Sequence, residues 1–155
     1  MKRSSASLYI NIIAITFLIS YLFFNANSCS KLPTEHKLVK SKNGEVKISS
    51  NEINDGKAHF FTYKKSGKRI NFFARVNSKG NILSHFDACF RCYKNKKGYR
   101  LEGSDLVCNE CNLKFKLSED IWENKDCSPI MLKNKIENAY LIIKADDLEK
   151  GSKLF

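Results

Sequence analysis

Four of the six cysteines fall into two tight pairs, Cys89 with Cys92 and, fifteen residues on, Cys108 with Cys111. A C-x2-C loop turns its backbone amides toward the thiolates and sets the two sulfurs about a metal's width apart, so two such loops present four sulfurs tetrahedrally. The competing chemistry is a pair of disulfides, which an oxidising compartment permits. A C-x2-C bridge is ordinarily a redox bond and not a structural staple, however, and two side by side would be unusual. The pattern therefore favours metal. Zinc, a single iron and an iron-sulfur cluster all accept four thiolates, and spacing alone leaves the choice open. Arg91, Lys94, Lys96, Lys97, Arg100, Lys114 and Lys116 lie close in sequence and would offset the negative charge of any such site.

Cys127 is either a fifth sulfur beside the site, as an additional ligand or a redox thiol, or a small buried residue. No histidine falls between Cys89 and Cys127, so a mixed His/Cys centre has no obvious ligands there. His85, His59 and His36 read as ordinary packed or surface histidines. Trp122 and Tyr99 read as packing aromatics, with an electron relay as the alternative. No nucleophile-and-base motif is apparent and the acidic residues are scattered, which argues against a hydrolytic or transferase site.

The positioning elements must be strands. His59 to Tyr63 is dense in aromatic and β-branched residues, Ser66-Gly67 is a turn, and Ile70, Phe72, Ala74 and Val76 alternate onto one face, which together make a β-hairpin. A third strand, Ile82 to Phe86, leads directly into the first cysteine pair. Short strand-like pieces at 99–101, 106–107 and 113–115 make a cysteine-rich lobe, 87–129, with too little apolar surface to order itself without metal. Met131-Leu132 and 139–143 return to strand character, and 146–151 reads as a turn of helix closed by glycine. The fold class is all-β and mainly antiparallel, a small β-sandwich or open barrel with the metal-binding lobe inserted between its early and final strands.

With 155 residues there is room for one such domain, at 57–155. Residues 29–56, rich in Lys, Ser and Asn, read as a polar basic linker with one short strand near Val46-Lys47-Ile48. Of the formal net charge of +11, the stretch 29–80 holds most, with 12 Lys/Arg against 4 Asp/Glu. That surplus is either a solvated tether or a surface for anionic lipid or an acidic partner. Nucleic acid is a poor match for an exported domain. Export is indicated by Met1-Lys2-Arg3 followed by the apolar run Leu8–Phe24, a signal peptide or N-terminal membrane anchor over 1–28. Cys29 follows Ala26-Asn27-Ser28 as it would in a lipoprotein, which makes it a lipidation candidate. Lipidation, a retained anchor and secretion all place the domain on the extracytoplasmic side.

Around the cysteines the chain resembles the FtrD-like membrane iron-sulfur domain found with bacterial iron permeases. The resemblance rests on Ile70-Asn71-Phe72-Phe73, on Phe86-Asp87-Ala88-Cys89-Phe90-Arg91-Cys92-Tyr93, and on Lys97-Gly98-Tyr99-Arg100. It continues through Val107-Cys108-Asn109-Glu110-Cys111 and Phe115 to the closing run from Asp147 to Phe155, and spans roughly 58–155. It implies that Cys89, Cys92, Cys108 and Cys111 ligate an iron-sulfur cluster. It further implies an accessory role in electron transfer or iron handling for a membrane-embedded iron permease or its redox partners. Where the family carries Gly-Gly-Cys-Asn-Pro, this chain has Asp126-Cys127-Ser128-Pro129. Many relatives have several membrane helices before the domain, against one at most here.

Overall fold

Alternation along the central hairpin dictates the architecture, because both of its faces are apolar. The structure, a computed structural model, describes residues 34–119 and 127–155. These residues belong to one compact unit, Pro33–Phe155. The main sheet has five strands in the order β1-β3-β4-β5-β9: β1 (Lys37–Val39), β3 (His59–Lys65), β4 (Lys68–Val76), β5 (Ile82–Cys89) and β9 (Pro129–Leu132). All its pairs are antiparallel except β1 with β3.

On one face, Phe61, Tyr63, Ile70, Phe72, Ala74 and Phe86 pack against a second sheet. That sheet is β2 (Glu45–Ser49), β10 (Lys135–Glu137) and β11 (Tyr140–Lys144), with β11 central. It contributes Val46, Ile48, Leu141 and Ile143, and each such buried side chain is worth about 1.5–3 kcal/mol. A short helix, α1 (Ser50–Ile53), adds Ile53, and α2 (Ala145–Lys150) adds Leu148. On the opposite face, Phe60 and Phe73 meet a third sheet: β6 (Tyr99–Glu102), β7 (Asp105–Cys108) and β8 (Lys114–Lys116). Among the described residues the sheets are open, with no closed barrel.

Two expectations change here. The stretch read as a linker over 29–56 is built into the domain from Lys37 to Ile53. Strand β2 pairs with β11 along its whole length, Ile48 opposite Leu141 and Val46 opposite Ile143, and Val46 and Ile53 are fully buried. The segment looks like tether because only every second residue of a short strand is buried, and lysine, serine and glutamate fill the rest. The cysteine-rich lobe also has a core of its own: Tyr99, Leu106, Phe115 and Leu117 are buried against Phe60 and Phe73. Arg75, fully buried, donates from its guanidinium to the Leu117 carbonyl and stitches lobe to sheet.

The closing glycine has a different function from the one its position suggests. Gly151 ends α2 with φ −78°, a conformation open to any residue. Glycine is needed because an added Cβ would lie 2.2 Å from Cε1 of Phe86.

Candidate metal centre

The lobe leaves the main sheet at Cys89 and returns at Pro129, and these two residues are register partners across β5 and β9. A register shift between His85 and Cys89 bends the end of β5 out of the plain ladder. Cys108 ends β7, opposite Tyr99 on β6. Two of the four cysteines therefore sit on strand ends, and the other two follow on the loops.

The loops differ. After Cys111 the chain takes a left-handed step at Asn112, φ +58°, a conformation asparagine tolerates, and Asn112 N–H donates to the Cys108 carbonyl at 3.0 Å. The backbone amides of Cys111 and Glu110 favour the Cys108 thiolate, and that of Leu113 favours the Cys111 thiolate. After Cys92 a single 3-10 turn, Tyr93–Asn95, runs into Lys96 at φ +54°. Amide-to-sulfur hydrogen bonds stabilise thiolate and tune whatever metal it holds.

The sulfurs of Cys89, Cys92, Cys108 and Cys111 all lie within 4.8 Å of one another. Cys89 and Cys108 are buried, Cys92 is half-buried and Cys111 is exposed, so the group has a covered side and an open side. Burial pushes the Cys92 thiol up to about 12, and the neighbouring Cys89 and Cys111 sulfurs add to it. Burial likewise raises Cys108 to about 12 against the pull of its backbone donors. At Cys111 burial works in the same direction, but the Leu113 amide and the adjacent thiols win and hold it below the usual thiol range. Thiolates this close repel one another and a cation between them offsets that repulsion, so the arrangement suits a metal ion. The donor set fits zinc or an iron-based centre.

Cys127 is buried outside this group of four. Burial, then the nearby Cys111 and Cys89 sulfurs, push its thiol up to about 12. Its carbonyl accepts from the Tyr99 hydroxyl at 2.8 Å and from the Cys89 thiol at 3.3 Å, so Cys127 closes the base of the site. Tyr99 itself is fully buried, edge-on to Phe73 and Phe115, a packing role. His85 is buried and stacked on Phe73. Cys29, Trp122 and the apolar run 8–24 lie outside the described residues. Among the described residues no helix is long and apolar enough to cross a membrane.

Three of the basic residues expected to balance the thiolates are drawn to carboxylates. Lys97 meets Glu110 at 2.6 Å, and Arg100 and Lys114 both meet Glu102, at 2.7 and 3.0 Å. Arg100 also donates to the side-chain oxygens of Asn109 and Asn112, bracing the second loop.

Sequence reasoning missed the support beneath Cys89. Asp87, buried, accepts from the Tyr99 amide at 2.7 Å and pairs with His36 Nε2 at 2.9 Å. His36 Nδ1 lies 2.9 Å from the Thr34 carbonyl, and the Thr34 hydroxyl donates to the Tyr99 carbonyl at 2.8 Å. The segment entering the domain is thus bound to the lobe, with His36 edge-on to Phe60. Gly98 leaves room for this carboxylate, since a Cβ there would sit 2.6 Å from Asp87 Oδ2. The Asp87 and Gly98 positions stand in the matching segments, but nothing local announces His36 as their partner.

The cavity lined by Asp87, Cys89, Cys92, Gly98 and Cys108 holds about 10 Å³. A larger open groove, about 510 Å³, runs past Asn51, Val76, Asn81 and Ile136, and among the described residues that line it none is a base beside Ser50.

The family model described as membrane iron-sulfur containing protein FtrD-like matches residues 53–155. No curated protein matches. Among solved structures, the chain is similar to the quaternary ammonium Rieske monooxygenase CntA in complex with an inhibitor. The identity is 15% and the TM-score 0.43, over 64% of this chain and 30% of that one. The chain thus spans less than a third of that enzyme's length.

Proposed function

Since the chain belongs to the FtrD-like family of membrane iron-sulfur containing proteins, we propose that it is a membrane-attached, extracytoplasmic electron carrier serving a membrane iron permease. The observation that carries this reading is the half-covered group of four sulfurs, with Cys89 and Cys108 buried and Cys111 at the surface. An electron carrier needs a centre shielded from solvent yet within reach of a partner, and it needs no substrate cavity. The space beside the thiolates is too small for an organic substrate. When bound, an iron centre supplies one-electron oxidation and reduction. Cys89 and Cys108 on strand ends and Cys92 and Cys111 on the following loops would hold it, with the backbone amides around Cys108 favouring its thiolate. Phe90, 63% exposed and flanked by exposed Arg91 and Lys94, offers an apolar contact within a basic rim to an acidic redox partner. The charged start and apolar run 8–24, with Cys29 after them, support attachment at the outer membrane face.

The test is to purify the full chain and follow its visible spectrum during reduction with dithionite and reoxidation. Colour that bleaches and returns is the expected result. A colourless protein with one equivalent of zinc would leave only a structural role, and a metal-free protein with cycling thiols would make it a dithiol oxidoreductase. For the permease role, deletion of the chain should lower ferrous-iron uptake, and the cysteine variants should not restore it.

A further inference from the structure

Four thiolates around one ion make a tetrahedron, and metal–sulfur bonds near 2.3 Å put every sulfur pair about 3.8 Å apart. A bridged core imposes a different spacing. With the same bonds and two irons about 2.7 Å apart, sulfurs on opposite irons are separated by about 5.5–6.6 Å, and a four-iron cube spreads its ligands by about 6 Å. Here all pairs among Cys89, Cys92, Cys108 and Cys111 lie within 4.8 Å. Closing onto one ion asks for shifts of at most about 1 Å, which side-chain rotation supplies. Opening to a bridged core asks two pairs to separate.

The framework opposes that separation. Cys89 is tied through Asp87 to the Tyr99 amide at 2.7 Å, and Tyr99 is the register partner of Cys108. The buried strand ends are therefore held to each other through two short links. Tyr99 also bonds the Cys127 carbonyl, which closes the floor. The cavity of about 10 Å³ beside Cys89, Cys92 and Cys108 is about the size that holds one water.

We propose that the centre is mononuclear: one ion on four thiolates, with no inorganic sulfide, iron being the ion when the site carries electrons. This departs from the bridged cluster that the family's description suggests, and it rests on the four-thiolate reading above.

The experiment measures iron, zinc and acid-labile sulfide per chain on the full protein. It then reconstitutes the metal-free protein with ferrous salt alone, with ferrous salt plus sulfide, and with cobalt(II). Expected are one ion per chain, no labile sulfide, full loading by ferrous salt alone, and a tetrahedral thiolate cobalt spectrum. Two or four irons with matching sulfide, and loading that requires sulfide, would overturn the mononuclear centre while leaving the electron carrier intact. One redox-inert zinc would support the mononuclear centre and overturn electron transfer. Cysteines recovered as disulfides, with no metal taken up, would overturn both. Cys127→Ser should load one ion as the natural chain does, whereas loss of that ion would overturn the four-ligand assignment.

Discussion

Alanine at position 98 would press directly on the carboxylate that supports Cys89. Gly98 has φ +60°, and a Cβ there would stand 2.6 Å from Asp87 Oδ2, 2.7 Å from Oδ1 and 2.8 Å from Cγ. A left-handed alanine costs about 1 kcal/mol by itself. To restore an ordinary contact the carboxylate must retreat by well over half an ångström. That stretches its bonds to the Tyr99 amide and to His36, now 2.7 and 2.9 Å, beyond useful length. Losing hydrogen bonds to a buried charged group adds about 2–3 kcal/mol, for a total of about 3–4 kcal/mol. Gly103 is the control: its φ is +63°, but an added Cβ would meet nothing within 4 Å, so Gly103→Ala should cost only the backbone term of about 1 kcal/mol. Urea unfolding followed by far-ultraviolet circular dichroism, with and without metal, measures both. A difference between the two variants of less than about 0.5 kcal/mol would refute the claim that Gly98 exists to admit Asp87.

Cys108→Ser should abolish stoichiometric metal binding, read by elemental analysis, and chelation of the natural chain should lower its urea midpoint. His36→Ala leaves the buried Asp87 carboxylate without its ring partner and should cost about 2–3 kcal/mol in urea unfolding. The buried His85, whose pKa is driven down to about 3 by burial and by Arg75, stays neutral in the fold while the unfolded chain takes up a proton near pH 6.5. Its contribution is therefore present above pH 6.5 and is lost as pH falls toward 3. His85→Phe should flatten the decline in stability across that window, and an unchanged acid limb would contradict the assignment.

The hairpin was legible because Ile70, Phe72 and Ala74 recur at period two, and β3, β4 and β5 form where that pattern places them. The same pattern hid the third layer. Phe73 and Arg75 point away from that face and would pass for exposed residues, yet both are buried because the lobe folds back over them. Strand β2 was visible only as a short strand within a tether, for a related reason: Val46 and Ile48 are two apolar residues among polar ones, and the β11 strand that buries them is about ninety positions away. His36 and Asp87 are 51 positions apart, so no local signal joins them.

By itself the amino-acid sequence determined the donor set, four cysteines in two loops, because a C-x2-C loop forms its geometry within a few residues. Only the tertiary structure decided that the two pairs meet within 4.8 Å, that Cys111 faces outward while Cys89 and Cys108 are covered, and that Cys127 stays outside the four. Those distances are set by the Cys89–Pro129 and Tyr99–Cys108 pairings and by the Asp87 bridge between them. Contacts of that range depend on how sheets stack, which spacing along the chain does not encode.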